Sequence, residues 1–278
     1  MAQEKQHKHF LVIAAASRGA RFFIKKALRQ GHDVTALCRA THDEAALERI
    51  NRLLEETSLA KGGVKASQKP GVLRTSSKSI LEAKTYSSLL KNDPSINHIC
   101  CFVGATTFRQ MIDRNERLYT KTILALVEGM RRSRWVEFFY HGSSGSEGIP
   151  GENTARLPEN FRPRWILNLG LKLPAAQNCF ESEKILAKAG AEGLQFVIFR
   201  PAWLTTAPAQ RSYGYCFDTT GMNKEELPLR AARKTISRED VAEEILRVAN
   251  LPHEERAHWH GHGIYLVDMK TPKDLQDP

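Results

Sequence analysis

The chain alternates between short apolar runs and longer stretches in which apolar residues recur every three or four positions. The apolar runs have the length of buried strands and lie at residues 10–13, 33–37, 71–74, 98–103, 135–140, 196–199 and 264–267. Strands that alternate with helices in this way are joined by crossovers and pair in parallel. The pattern therefore predicts an α/β fold with a doubly wound parallel sheet.

The stretches between the strands place their apolar residues on one helical face. The first such stripe consists of Ala20, Phe23, Ile24, Ala27 and Leu28. Gly31 follows this stripe and is expected to end the helix. Similar stripes occur within residues 123–130 and 241–248, and we expect all of them to pack into the core.

Two regions, residues 50–70 and 142–175, do not fit this alternation. The first is polar and contains glycine, which indicates an insertion. The second is rich in Gly and Pro and follows the carboxyl end of a predicted strand, where ligands bind in open α/β sheets. We expect a single domain over residues 1–278, with a small substrate-covering region built from about 145–180 and 205–235.

Composition restricts the classes of partner. The chain has 41 Lys and Arg against 31 Asp and Glu, which gives a formal net charge of +10. The basic residues are scattered, and the sequence carries no RNA-recognition, zinc-finger or basic-zipper signature, so we do not expect a nucleic-acid partner. No apolar run approaches the roughly 18 residues that cross a bilayer. The N-terminus resembles a short signal peptide, but its apolar run is also the first strand of a longer pattern, so we expect a cytoplasmic protein.

Potential metal ligands were considered in two places. The five cysteines are odd in number and lack metal-site spacing, and the adjacent Cys100 and Cys101 suit a buried strand in a reducing compartment. His258, His260 and His262 alternate, so a strand there would place all three within reach of one metal ion. The neighbouring glycines favour a flexible edge instead, and we predict no metal site.

Residues 10–40 have the order of a dinucleotide-binding unit: a strand, a tight turn, an amphipathic helix and a second strand. The three glycine positions of that turn hold Ala14, Ser17 and Ala20. If the bend requires a positive φ, the Cβ atom of Ala14 costs about 1–2 kcal/mol. The Ser17 side chain either intrudes where a phosphate would lie or donates a hydrogen bond to it.

Two arginines favour a phosphate-bearing ligand. Arg18 follows the second glycine position, and Arg39 ends the second strand, where an arginine can pair with a ribose 2′-phosphate. Together with Gly19 in the turn and Gly104 after the fourth strand, they predict an NADP(H) site. The alternative is that both arginines are ordinary surface residues and that the cofactor binds weakly or not at all.

Four segments resemble the NmrA-like family of atypical short-chain dehydrogenases/reductases: RQGHDVTALCR, the GSSG that follows WVEFFYH, FVIFRPAWLT at 196–205 and TISREDVAEEIL at 235–246. The resemblance runs from about residue 10 to residue 250. It implies a Rossmann-type fold that usually binds NADP(H). Members of this family reduce small molecules, act in fungal secondary metabolism or only sense the cofactor.

The sequence departs from that family in two motifs. The family's turn, Gly-Ala-Thr-Gly-x-x-Gly, is replaced at residues 14–20 by Ala-Ala-Ala-Ser-Arg-Gly-Ala. When Glu183 is aligned with the glutamate of the family's catalytic helix, the Tyr-x-x-x-Lys dyad falls at Ala175 and Cys179. In the dyad the lysine lowers the pKa of the tyrosine, and neither replacement can do this. Hydride transfer would therefore need another acid.

The first candidates for that acid follow the fifth predicted strand. Ser143 and Ser144 lie where the family places hydroxyl groups near the nicotinamide, and they either bond a substrate oxygen or satisfy backbone groups. His141 ends the strand, and the ordinary pKa of histidine suits proton transfer, although a structural role is the alternative.

A second group of candidates lies on the segment that replaces the dyad helix. Asn178 and Glu181 are spaced to share a helical face, so they are predicted to present a polar pair to the pocket. Glu183 and Lys184 are expected to be solvated charges.

These features predict a small-molecule tailoring enzyme, an NADP(H)-linked oxidoreductase of secondary metabolism. An apolar or aromatic substrate is favoured by the family context and by the aromatic residues Phe161, Trp165, Phe180 and Trp203. One alternative keeps the fold but is a cofactor-independent isomerase, dehydratase or cyclase, with His141 or Glu181 as proton carrier. Another is a non-catalytic NADP(H) sensor or regulatory protein.

Overall fold

The computed structural model describes residues 7–60, 69–104, 117–143, 174–217 and 235–269 of the chain. The strands are β1 (His9–Ile13), β2 (Asp33–Leu37), β3 (Leu73–Ser76), β4 (His98–Cys101), β5 (Glu137–His141), β6 (Phe196–Pro201), β7 (Trp203–Thr205), β8 (Tyr213–Phe217), β9 (Thr235–Ser237) and β10 (His262–Asp268). The helices are α1 (Arg18–Arg29), α2 (Asp43–Glu55), α3 (Ala83–Asn92), α4 (Leu118–Arg131), α5 (Pro174–Ala191), α6 (Arg238–Ala249) and α7 (His253–Ala257).

Eight strands form one sheet in the order β3-β2-β1-β4-β5-β6-β10-β8. All neighbours pair in parallel except β10 and β8, which are antiparallel. β7 and β9 form a separate parallel pair. The strand order reverses at β1, which pairs with β2 on one side and β4 on the other, and such a reversal opens a crevice at the carboxyl ends of the strands. The predicted doubly wound parallel sheet is confirmed.

Apolar side chains on both faces of the sheet explain why its central strands read as unbroken apolar runs. Phe10 and Val12 of β1 pack on the face that carries α1 and α6, whereas Leu11 and Ile13 pack on the face that carries α3 and α4. Every residue of β1 is buried. A strand covered on both faces has no polar side to alternate with its apolar one.

The third strand begins two residues later than its apolar run indicated. Gly71 is pressed against the backbone of His32, and an added Cβ atom there would lie 1.8 Å from the His32 carbonyl oxygen. Its amide donates to the Leu28 carbonyl at 2.8 Å rather than to a strand partner. Regular pairing with β2 therefore starts only at Leu73.

The amphipathic helix α1 ends as predicted. Gln30 is its C-cap, and Gly31 follows with φ 87°, a left-handed conformation that glycine adopts without strain. Among the residues that the structure describes, no helix is both long enough and apolar enough to cross a membrane.

Candidate functional site

The candidate site lies where β1, β4 and β5 end side by side. Their carboxyl ends bring together the turn after β1, Gly104 beyond β4 and His141 at the end of β5. Arg39 follows β2 at the same edge and is exposed. The fold thus gathers most of the predicted cofactor residues at the crevice where an open α/β sheet binds its ligand.

The turn after β1 adopts the backbone conformation that a glycine would favour. Ala14 has φ 58°, and the Ser17 amide closes the turn by donating to the Ala14 carbonyl at 2.9 Å. The Ala15 amide donates to the Leu37 carbonyl of β2 at 3.0 Å. The tight bend has therefore been retained with alanine in place of glycine, at a cost of about 1–2 kcal/mol.

Ser17 has a role that neither sequence interpretation considered. It is the N-cap of α1, and its Oγ accepts a hydrogen bond from the Ala20 amide at 3.3 Å. A serine cap satisfies one of the backbone donors that a helix start leaves open. The serine at the second glycine position therefore stabilises the helix on which a phosphate would rest.

The start of α1 still offers donors to an anion. Its first turn contains no acidic residue, and in the described part of the chain the Arg18 and Gly19 amides have no acceptor. Open amides and the helix dipole both favour a negatively charged ligand at this point. Gly19 lies under the Phe102 ring, because an added Cβ would be 3.3 Å from Phe102 Cδ1.

His141 is the polar group at the end of β5. Its Nε2 is buried and has no hydrogen-bond partner among the described residues, and its ring packs 5.6 Å from that of Phe102. Burial lowers the pKa of His141 to about 4, and the charge of Arg238 adds to this effect while a contact with its own backbone opposes it. His141 is therefore uncharged at neutral pH and can accept a proton at Nε2 if Nδ1 carries the hydrogen.

Beyond β5 the chain is only partly described. Gly142 donates its amide to the Phe199 carbonyl at 2.8 Å, and Ser143 is exposed. Ser144 and most of the predicted substrate-covering segments, with Phe161 and Trp165, lie outside the described residues. Trp203 is 65% exposed, so it is free to contact a ligand at this edge.

The structure does not bring Asn178 and Glu181 together. Asn178 is buried between α5 and α4, where its Oδ1 accepts from Thr120 Oγ1 at 2.9 Å and its Nδ2 donates to the Pro174 carbonyl at 3.1 Å. The Glu181 side chain is 47% exposed and lies 3.6 Å from Lys184 Nζ. The predicted polar pair is therefore not formed in this structure.

Glu183 is not the solvated charge that the sequence indicated. Its side chain is fully buried, and its Oε2 and Oε1 accept from Arg200 Nη2 at 2.7 Å and Nε at 3.2 Å. The expectation was wrong because the partner lies in β6, 17 residues along the chain. A buried carboxylate needs such a partner to remain charged.

Cys179, which stands at the position of the dyad lysine, is a buried thiol. Burial raises the pKa of Cys179 to about 12, and the charge of Glu183 adds to this, while hydrogen bonds from Tyr140 and Tyr119 oppose it. A neutral thiol cannot lower the pKa of a neighbouring phenol as an ammonium does. Tyr119, which the sequence analysis missed, places its hydroxyl 3.8 Å from where a Cβ of Gly104 would lie.

The three alternating histidines do not share one strand. His258 is the C-cap of α7, His260 Nε2 lies 2.7 Å from Glu137 Oε1, and His262 begins β10. Within the described ranges, no group of three or more His, Cys, Asp or Glu side chains is arranged to hold a metal ion.

Comparison with known proteins identifies the fold but no close relative. No protein-family model and no curated protein matches the sequence. A short-chain dehydrogenase/reductase from Veillonella parvula, solved in complex with NADP, is 13% identical, with a TM-score of 0.59 over 96% of each chain. An oxidoreductase from Lactococcus lactis is 12% identical, with a TM-score of 0.61 over 96% of this chain and 95% of its own.

A third similar structure points to the same fold. It is a Rossmann-fold NAD(P)-binding family protein from Shigella flexneri, 14% identical, with a TM-score of 0.56 over 94% of this chain and 93% of its own. The similarity to these proteins extends over nearly the whole length of both chains. The protein therefore has the Rossmann-type fold of NAD(P)-binding proteins.

Proposed function

We propose that the protein is an NADP(H)-linked oxidoreductase, similar to NmrA-like reductases, that modifies a small apolar or aromatic molecule in secondary metabolism. The observation that carries the proposal is the start of α1, which has two open amides and no acidic residue at the crevice of the sheet. The similar Veillonella parvula protein, solved with NADP, supports the choice of cofactor.

The residues around the crevice fit a dinucleotide with two phosphate regions. The start of α1 and Arg18 would hold the pyrophosphate, and Arg39, exposed at the end of β2, would pair with a 2′-phosphate. Gly104 leaves room beside β4 for the rest of the cofactor. The strained Ala14 and the serine at the second glycine position reduce affinity relative to a glycine turn, so binding is weaker but retained.

A bound nicotinamide would supply or accept a hydride, and residues of the chain would have to accept or donate the accompanying proton. The uncharged imidazole of His141 is the group proposed to take up that proton at Nε2, for example from a substrate alcohol. Ser143, two residues further on, donates a hydrogen bond to the substrate oxygen, and Ser144, the next residue in the sequence, is proposed for the same role. The exposed Trp203 offers an apolar surface to the substrate.

Calorimetric titration with NADPH and NADH tests the cofactor. We expect micromolar binding of NADPH, weakened about tenfold or more in Arg39→Ala because one charge-assisted phosphate contact is lost. NADH binding should not change in that variant. Arg52→Ala removes an exposed arginine from the neighbouring helix α2 and is the matched control. If neither nucleotide binds at millimolar concentration, the cofactor proposal is overturned.

His141 also favours a second candidate, a cofactor-independent isomerase, dehydratase or cyclase. The ring nitrogen Nε2 of His141 has no hydrogen-bond partner in the described residues, so we propose it as the atom that removes a proton without any nucleotide. Exchange of the α-hydrogens of 1-tetralone in heavy water, followed by NMR without nucleotide, tests this chemistry. The candidate requires exchange in the wild type that is lost in His141→Asn, and the absence of exchange in the wild type rules it out for ketones of this kind.

A further inference from the structure

Two helices of the protein begin in the same way at the same edge of the sheet. α1 starts with Ser17 and Arg18, and α6 starts with Ser237 and Arg238. In each, the serine Oγ accepts from the third amide of the helix, at 3.3 Å from Ala20 and 2.9 Å from Asp240. The two helices pack side by side, and the Asn250 side chain at the C-cap of α6 donates to Gln30 Oε1 at the C-cap of α1 at 2.9 Å. They therefore run in the same direction, and Arg18 and Arg238 lie at the same end of the pair.

The acidic residues of α6 are already engaged and do not neutralise Arg238. Glu239 is buried against Lys26 of α1, with Nζ at 3.0 Å, and also accepts the Ala60 amide at 3.1 Å. Asp240 accepts the amides of Gln210 at 2.9 Å and Arg211 at 3.0 Å. These contacts hold α6 beside α1 and leave the positive charges of Arg18 and Arg238 without a carboxylate.

Two basic residues at this edge, Arg18 and Arg238, have no carboxylate partner within the described part of the chain. Neither Arg18 nor Arg238 makes an ion pair or hydrogen bond there, and the half-buried Arg21 has a buried Nε without an acceptor. Burial lowers the pKa of Arg238, and the nearby charge of Arg18 lowers it further. Like charges held together without a counter-ion destabilise a fold, and an anionic ligand reverses that effect.

Arg238 also lies on the path of a ligand that crosses the crevice. The charge of Arg18 at the start of α1 acts on Arg238, and the charge of Arg238 acts on His141 at the end of β5. β4 lies between β1 and β5 in the sheet. A dinucleotide with its pyrophosphate on α1 and its nicotinamide near His141 would therefore pass Arg238.

We propose that Arg238 of α6 and Arg18 of α1 together bind the pyrophosphate of a dinucleotide. The backbone of a glycine-rich turn can approach the phosphates closely. The two arginine side chains would supply part of that phosphate contact here. The inference rests on the proposed function for the identity of the ligand, but the anion site itself can be tested without any turnover.

The experiment measures binding of NADPH, ADP-ribose, 2′-AMP and inorganic pyrophosphate to the whole protein by calorimetry. ADP-ribose contains the pyrophosphate and 2′-AMP does not. We expect Arg238→Met and Arg18→Met each to weaken the binding of NADPH and of ADP-ribose roughly tenfold or more. The affinity for 2′-AMP should be unchanged. Arg238→Lys keeps the positive charge and should therefore lose less affinity for NADPH and ADP-ribose than Arg238→Met does. Arg29→Met removes an exposed arginine from the opposite end of α1 and should change nothing.

The possible outcomes separate this inference from the proposed function. If the wild type binds NADPH and ADP-ribose and Arg238→Met binds them equally well, the inference is overturned while the cofactor proposal stands. If no nucleotide binds but pyrophosphate binds and depends on Arg238, the anion site stands and the cofactor is excluded. If the wild type binds neither nucleotide nor pyrophosphate, both are overturned. Unchanged thermal unfolding of the variants shows that losses of binding come from the site.

Discussion

At the scale of single residues, Ala14 is where the backbone and the side chain of the first turn conflict. Its φ of 58° lies in the left-handed region, which a Cβ atom makes unfavourable. The turn persists because amides on both sides of it are bonded, Ala15 to Leu37 of β2 and Ser17 to Ala14 itself. The surrounding sheet and helix therefore impose the strain that alanine bears.

Ala14→Gly is expected to stabilise the protein. Relief of about 1–2 kcal/mol of strain exceeds the roughly 0.5–1 kcal/mol of chain entropy that glycine adds to the unfolded state. The net gain in the free energy of unfolding, measured with urea, should be about 0.5–1 kcal/mol. Ala16→Gly, two residues later and without a positive φ, should instead lower the free energy of unfolding by about 0.5–1 kcal/mol. Equal losses in both variants would show that Ala14 is unstrained.

The sequence predicted the place of this turn and its possible strain, but not how Ser17 is used. The order of strand, turn and helix is local, so residues 10–40 could be assigned from their own pattern. Whether Ser17 faces a ligand or caps α1 depends on the direction of its side chain, which spacing does not determine. A serine at the start of an apolar stripe is a cap signal, and Ser17 and Ser237 both carry it.

At the scale of elements, α5 is fixed to the sheet by charge. Glu183 of α5 and Arg200 of β6 are both fully buried and share two hydrogen bonds. Tyr265 of β10 lies 3.3 Å from Arg200 Nη1, and an added Cβ at Gly263 would be 2.2 Å from Arg200 Cζ. The pair therefore sets the position of the helix that carries Cys179 and Asn178.

Glu183→Gln is expected to destabilise the protein strongly. The change leaves the Arg200 guanidinium buried without its counter-charge, for which about 3–5 kcal/mol is typical. Glu181→Gln, on the same helix but 47% exposed, should change the free energy of unfolding by less than about 0.5 kcal/mol. Urea denaturation of the two variants provides the measurement. A loss for Glu183→Gln no larger than that of the control would contradict the structural role of the pair.

The helix stripes and strand runs were predictable because they are periodic, whereas the pairing of Glu183 was not. A single buried charge in a helix looks the same in sequence as a solvated one, and only the distant Arg200 distinguishes them. The same applies to Arg238, which lies 220 residues from Arg18 in the chain. Contacts between elements far apart in sequence are the part of the site that pattern alone could not supply.

At the scale of the whole molecule, the two edges of the sheet differ in how their charged side chains are paired. At the carboxyl edge the arginines of α1 and α6 lack carboxylate partners in the described residues. At the amino edge Glu137 is surrounded by bases, with Arg256 Nε at 2.6 Å, His260 Nε2 at 2.7 Å and His98 Nε2 at 3.1 Å. Within the described residues, the carboxyl edge therefore keeps positive charge without carboxylate partners, whereas the amino edge is held together by the ion pair and hydrogen bonds of Glu137.

Several histidines are buried in their neutral form, and this makes the whole fold sensitive to acid. Burial lowers the pKa of His98, with Glu137 opposing, and lowers the pKa of His141 to about 4. Burial alone would raise the pKa of Glu137, but hydrogen bonds from His260 and His98 and the charge of Arg256 hold it well below its usual range. The stability that Glu137 contributes is present above its unfolded pKa and is lost only at lower pH.

The free energy of unfolding should therefore fall as the pH is lowered from about 6.5 towards 4. In this window the unfolded chain takes up a proton that the folded His141 does not, at up to about 1.4 kcal/mol per pH unit, and the lowered pKa of His98 acts in the same direction. His141→Asn should reduce the slope by up to this amount, whereas His258→Asn, at an exposed position, should leave it unchanged. Urea unfolding at several pH values between 4 and 7 measures the slopes. Identical slopes for wild type and His141→Asn would mean that His141 titrates in the folded protein as it does in the unfolded chain, which would contradict the lowering of its pKa by burial.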